Sequence, residues 1–108
     1  MDESAFIAAA DATLDKIGLA LDAALELTDS DLDWNLRDGV LTIDCDDASR
    51  IIVNRHVPNR EIWIAAKGGG FHFVLRDGLW IDTRSGEELF ASLARILRAQ
   101  AGVEARWK

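Results

Sequence analysis

Residues 54–86 constrain the fold more than any other stretch, because three short strand-like runs there are separated by turns that no helix could cross. Pro58 lacks the N–H that a ladder needs, so it ends an incoming strand and shapes a connection through Asn59. In the run from Glu61 to Ala66, Ile62 and Ile64 share one face while Trp63 and Ala65 share the other, the period of a half-buried strand. Lys67-Gly68-Gly69-Gly70 reads as a flexible turn. A run of glycines can cradle phosphate only where a helix N-terminus follows, and here Phe71-His72-Phe73-Val74-Leu75 is another strand. Arg76-Asp77-Gly78 then turns the chain into a short last strand, Leu79 to Asp82.

The same alternation extends upstream. Asp38-Gly39 is a tight-turn signal of type I′, so residues 33–37 and 40–45 read as a hairpin, with Leu41, Ile43 and Cys45 on one parity and Thr42 and Asp44 on the other. Asp46 to Ser49 turns into a third strand, Arg50 to Arg55, with Ile51 and Val53 inward and Ile52 and Asn54 outward. Before the strands, Phe6, Ala10, Leu14, Ile17, Leu21 and Leu25 recur at threes and fours, which predicts an amphipathic helix from about Asp2 to Leu27. After them, Ser85-Gly86-Glu87-Glu88 reads as a capping box for a second helix whose apolar stripe is Leu89, Phe90, Leu93, Ile96 and Leu97, stopped by Gly102. Val103 to Lys108 reads as an extended or frayed tail. One domain spanning 1–108 is expected, an α+β two-layer sandwich with both helices on one face of an antiparallel sheet of about six strands, the other face left to solvent.

Charge is distributed unevenly. Residues 1–47 carry 13 Asp and Glu against Lys16 and Arg37, whereas residues 48–108 carry six acids against ten bases. Such an acidic half repels nucleic acid and anionic membranes and attracts cations or basic protein surfaces. No apolar run approaches the roughly 20 residues that span a bilayer, and Asp2 and Glu3 do not open a targeting segment, so a cytoplasmic location is expected. The single Cys45 cannot form an internal disulfide and lies on the buried parity, where a thiol is inert.

Candidate chemistry lies in the acids. On a helical wheel Asp11, Asp15, Asp22 and Glu26 fall within a sector about 60° wide, opposite Phe6 and Ile17, and Asp29, Asp31 and Asp33 carry the stripe off the helix end. Carboxylates four residues apart weaken a helix, so the stripe does not help folding; it is either a solvated face or a set of hard oxygen ligands for iron-, manganese- or calcium-like ions. Trp63 falls on the outward parity, where it is either covered by Asn54 and His72 or offered to a partner. His72 shares that parity and His56 is assigned to the turn region, and no third ligand joins them in a metal site. Trp34 and Trp80 read as core or edge packing and Trp107 as tail. A ferroxidase would need Glu-x-x-His spacing on facing helices, which neither helix carries.

Asn54-Arg55, Pro58, Trp63-Ile64-Ala65, Gly69-Gly70-Phe71-His72-Phe73, Trp80, Asp82 and Arg84-Ser85-Gly86, at this spacing, resemble the frataxin family in its short bacterial CyaY branch. The resemblance implies the same two-layer sandwich and a non-enzymatic, iron-binding protein of iron–sulfur cluster assembly, acting as iron donor to, or regulator of, a cysteine desulfurase and scaffold complex. It implies an iron-binding ridge at Asp22, Asp29, Asp31 and Asp33; with Asp11, Asp15 and Glu26 of the same stripe these are the expected ligands for weakly held Fe2+ or Fe3+, and partner contacts are expected through Trp63, Asn54, His72, Asp22 and Asp31. The chain departs from the family where Gly18, Leu19 and Ala23 stand at positions that often carry acids in bacterial relatives. A pure interaction module with an acidic docking surface and a ferroxidase or iron store are the alternatives, and a monomer that oligomerises with iron is the expected state.

Overall fold

The computed structural model describes residues 1–107. Its elements run α1 (Glu3–Leu25), β1 (Asp33–Arg37), β2 (Val40–Asp44), β3 (Arg50–His56), β4 (Glu61–Ala66), β5 (Gly69–Arg76), β6 (Leu79–Asp82) and α2 (Leu89–Ala101). The six strands form one antiparallel sheet in sequence order, which leaves β1 and β6 as edges. Both helices pack on one face, as expected from the strand parities.

Local chemistry sets the boundaries. The Asp2 carboxylate accepts the Ala5 N–H at 2.8 Å and starts α1. The helix stops at Leu25 rather than Leu27; its last turn holds no base, and Asp22 and Glu26 oppose the negative end of the helix dipole. Asp38 and Gly39 both take positive φ, 52° and 77°, in the expected I′ hairpin, and Asp77 and Gly78 repeat the pattern at 49° and 80°. The glycine turn is tighter than expected: Ala66 pairs with Gly69, so Lys67-Gly68 alone form the loop and Gly69 and Gly70 are ladder residues. β3 likewise runs to His56, which pairs with Glu61, so His56 belongs to a strand and not to a turn.

The capping box expected at Ser85 does not form. Asp82 is buried, and its Oδ2 takes both the Ser85 N–H at 3.0 Å and the Ser85 hydroxyl at 2.7 Å. Ser85 is therefore held in the turn after β6, and α2 begins later, at Leu89, where the Glu88 carboxylate accepts from the Phe90 and Ala91 amides.

The core lies between the layers. Phe6, Leu14, Ile17 and Leu21 from α1 meet Leu41, Ile43, Ile51, Val53, Ile62, Ile64 and Phe73 from the sheet and Leu89, Leu93 and Leu97 from α2. Each such side chain contributes about 1.5–3 kcal/mol of burial. Trp80 joins them, donating its indole N–H to Thr13 Oγ1 at 2.9 Å and meeting Phe6 edge-on. The tail is extended but anchored: Val103 is buried, and Trp107 packs on Phe90 and donates to its carbonyl oxygen at 2.8 Å.

Candidate functional site

The acidic stripe of α1 lies beside the edge strand β1, and one indole joins the two. Trp34 points from β1 toward the helix and rests against Gly18, where a Cβ would come within 2.6 Å of the ring. Its N–H donates to Asp22 Oδ1 at 2.8 Å. Gly18 thus makes room for an indole, and Asp22 is partly committed to it. Asp11 is committed further: it pairs with Arg55, which shares the inward parity of Val53 at the end of β3 and so reaches the helix layer. Asp15, Glu26, Asp29, Asp31 and Asp33 are exposed; Asp33 Oδ1 accepts the Trp34 amide at 2.9 Å. No three carboxylate, histidine or cysteine groups converge among the described residues. The expected ligand residues therefore form a line rather than a cage, in which a hard cation would meet one or two carboxylates and keep much of its water.

The bare face of the sheet carries the second constellation. Asn54, Trp63 and His72 stand opposite one another on β3, β4 and β5. Trp63 is half-buried and outward, as its parity predicts, with Ile62 and Ile64 in the core. Its indole is sandwiched: His56 stacks on one face at 3.7 Å and 10°, and His72 on the other at 4.3 Å and 11°. The indole N–H donates to Glu61 Oε1 at 2.8 Å, and His72 Nδ1 lies 3.9 Å from the same oxygen. Asn54 lies alongside, in a shallow groove of about 310 Å³ that it shares with Val40, Ile52, Ala65 and Gly70.

Sequence reasoning missed His56 and Glu61 as members of this group. The available signal was that His56 has the parity of Ile52 and Asn54, once β3 is allowed to run to the residue before Val57-Pro58. Elsewhere, burial raises the Cys45 thiol above its ordinary value. For Asp82 burial acts in the same direction, but the Ser85 hydroxyl and amide outweigh it and hold the carboxyl below its ordinary value. No helix of the described residues is long and apolar enough to cross a membrane.

Residues 1–103 match the frataxin-like domain model. Among curated relatives, the iron-sulfur cluster assembly protein CyaY of Ralstonia nicotianae is 44% identical over 104 residues, 96% of this chain and 92% of that protein. The protein of the same name from Paraburkholderia phytofirmans is 44% identical over 108 residues, covering 100% and 99% of the two chains. Among solved structures, the frataxin of Psychromonas ingrahamii superposes with a TM-score of 0.90 at 28% identity, over 100% of this chain and 99% of that one. Trimeric frataxin from Saccharomyces cerevisiae, complexed with ferrous iron, superposes at 0.76 and 28% identity, over 84% and 83%. With the frataxin-like domain model matched over residues 1–103 and near full-length likeness to CyaY proteins and to a solved frataxin, the chain belongs to the frataxin family, in its bacterial CyaY branch.

Proposed function

We propose that this chain is a non-enzymatic, iron-binding protein of iron–sulfur cluster assembly in the cytoplasm, which docks on a cysteine desulfurase and scaffold complex as iron donor or as regulator. The observation that carries the reading is the line of exposed carboxylates along α1 and the β1 edge, Asp15, Asp22, Glu26, Asp29, Asp31 and Asp33. Apart from the bonds that Asp22 and Asp33 make to Trp34, these groups add little to folding, since like charges at helical spacing repel and the acids near the end of α1 oppose its dipole. The name shared by the curated relatives supports a place in iron–sulfur assembly, and the ferrous complex of the yeast frataxin supports iron as the cargo.

The geometry favours labile binding. Hard carboxylate oxygens suit Fe2+, and an open line without a third converging ligand gives the ion up as easily as it takes it. The same negative edge attracts a basic partner surface, while Trp63 and Asn54 on the bare sheet face supply a second contact. Anaerobic titration with Fe2+, followed by amide NMR, tests the cargo half. Signals between Asp11 and Asp33 should shift or broaden at weak affinity, and Mn2+ should compete. Shifts centred on His56 and His72 would overturn the open-carboxylate site.

A further inference from the structure

We propose, on the reading of Trp63 as a docking contact, that His56, Glu61 and His72 are positioning residues that hold its indole edge-on to the partner with its N–H already engaged. Neighbouring strands lie about 4.8 Å apart, and side chains stand roughly perpendicular to the sheet. The three rings come from adjacent strands and stack with centroids 3.7 and 4.3 Å apart and planes within 10° and 11° of parallel. Their normals must then run across the strands. The ring planes stand upright, and their rims face solvent.

That orientation decides what the surface can recognise. The C–H rim of the indole is the electropositive part of its quadrupole, and the only polar donor of Trp63 is taken by Glu61 at 2.8 Å. A docking protein therefore meets three ring edges beside a groove floored by Val40, Ile52 and Ala65. The surface fits a protein loop that presents small apolar side chains and backbone carbonyl oxygens, not one that offers an acceptor to the indole N–H.

Folding alone does not account for the stack. All three rings lie outside the core, and His56 Nδ1 is buried without a hydrogen-bond partner, an arrangement that costs stability. Glu61 Oε1 accepts the indole N–H and so fixes the rotation of the Trp63 ring between the imidazoles, with His72 Nδ1 3.9 Å from the same oxygen.

The test is a set of double-mutant cycles on the full chain, with affinity for a purified cysteine desulfurase–scaffold complex as one readout and the Trp63 indole N–H resonance as the other. His72→Gln and His56→Gln keep a polar side chain and remove the ring; His72→Phe and His56→Phe keep a ring. Each Gln variant should weaken binding about three- to tenfold when Trp63 is present and not at all in a Trp63→Ala background. Each should also move the indole resonance, and each Phe variant should restore both readouts. Gln variants that bind like the parent, or that lose the same affinity with and without Trp63, overturn the positioning role and leave the docking reading intact. Unchanged binding by Trp63→Ala would remove the docking reading and this inference with it.

Discussion

Replacing Gly18 with alanine should destabilise this protein, against the usual sign of that change. Inside a helix, Gly→Ala is worth about 1 kcal/mol in favour of alanine, through backbone entropy. At Gly18 the new Cβ would lie 2.6 Å from Trp34 Cη2, 2.9 Å from Cζ3 and 3.3 Å from Cζ2, all inside the optimal carbon separation of about 3.5–4.0 Å. The indole must swing outward by about 1 Å. It then gives up its 2.8 Å hydrogen bond to Asp22, worth about 1 kcal/mol, and suffers an overpacking cost of about 1–3 kcal/mol. Trp34 is half-buried at an edge and can move, so the lower part of that range applies. The balance is a net loss of about 1–2 kcal/mol, which for a chain of this size lowers Tm by about 4–10 °C. The decisive comparison is Gly18→Ala in a Trp34→Ala background. There the three atoms nearest the new methyl are gone, and the substitution should stabilise by about 1 kcal/mol. Circular dichroism melts and urea titrations of the four proteins measure both values. A Gly18→Ala variant that melts above the parent, or a sign that does not reverse without Trp34, would refute the packing of this indole on α1.

Trp63→Ala should cost about 1–2 kcal/mol in urea unfolding, from two lost ring stacks and one hydrogen bond, well short of the about 3–5 kcal/mol of a core tryptophan; a loss of the larger size would place the side chain in the core. Because the Asp82 carboxyl is held below its ordinary value, the unfolded chain takes up that proton first. Its contribution is complete above about pH 4 and is lost as the pH falls further, so the urea midpoint should drop between about pH 4 and pH 3, and Asp82→Asn should flatten that drop; an equally steep acid limb in the variant contradicts the assignment. Docking of the acidic edge on a basic surface is screened beyond about 8 Å at physiological salt, so the association rate with the desulfurase should fall steeply as salt rises; a rate independent of salt would remove the acids from the interface.

Strand parity and the tight Asp-Gly turns were legible in the chain alone. The parity of Ile62, Trp63 and Ile64 was legible because successive side chains on a strand must alternate, and the Asp38-Gly39 and Asp77-Gly78 hairpins were legible because few residues tolerate positive φ. The family resemblance was legible as residue identities at fixed spacing, most of them within β3 to β6 and the rest in the turns after β3 and β6. The partners that those side chains find depend on how the layers pack. Ser85 reads as a helix cap in isolation, but a buried Asp82 three residues earlier competes for the same hydroxyl and takes it. Asp11 and Asp22 read as equal members of one acidic stripe, yet Arg55 reaches one from 44 residues away and Trp34 reaches the other across the layer, leaving the rest of the stripe to solvent. His56, 16 residues from His72, closes the stack on Trp63 only because three strands align in register. Contacts between residues far apart in the chain leave no periodic trace in it, because each requires the fold to bring its two halves together before either group has a partner.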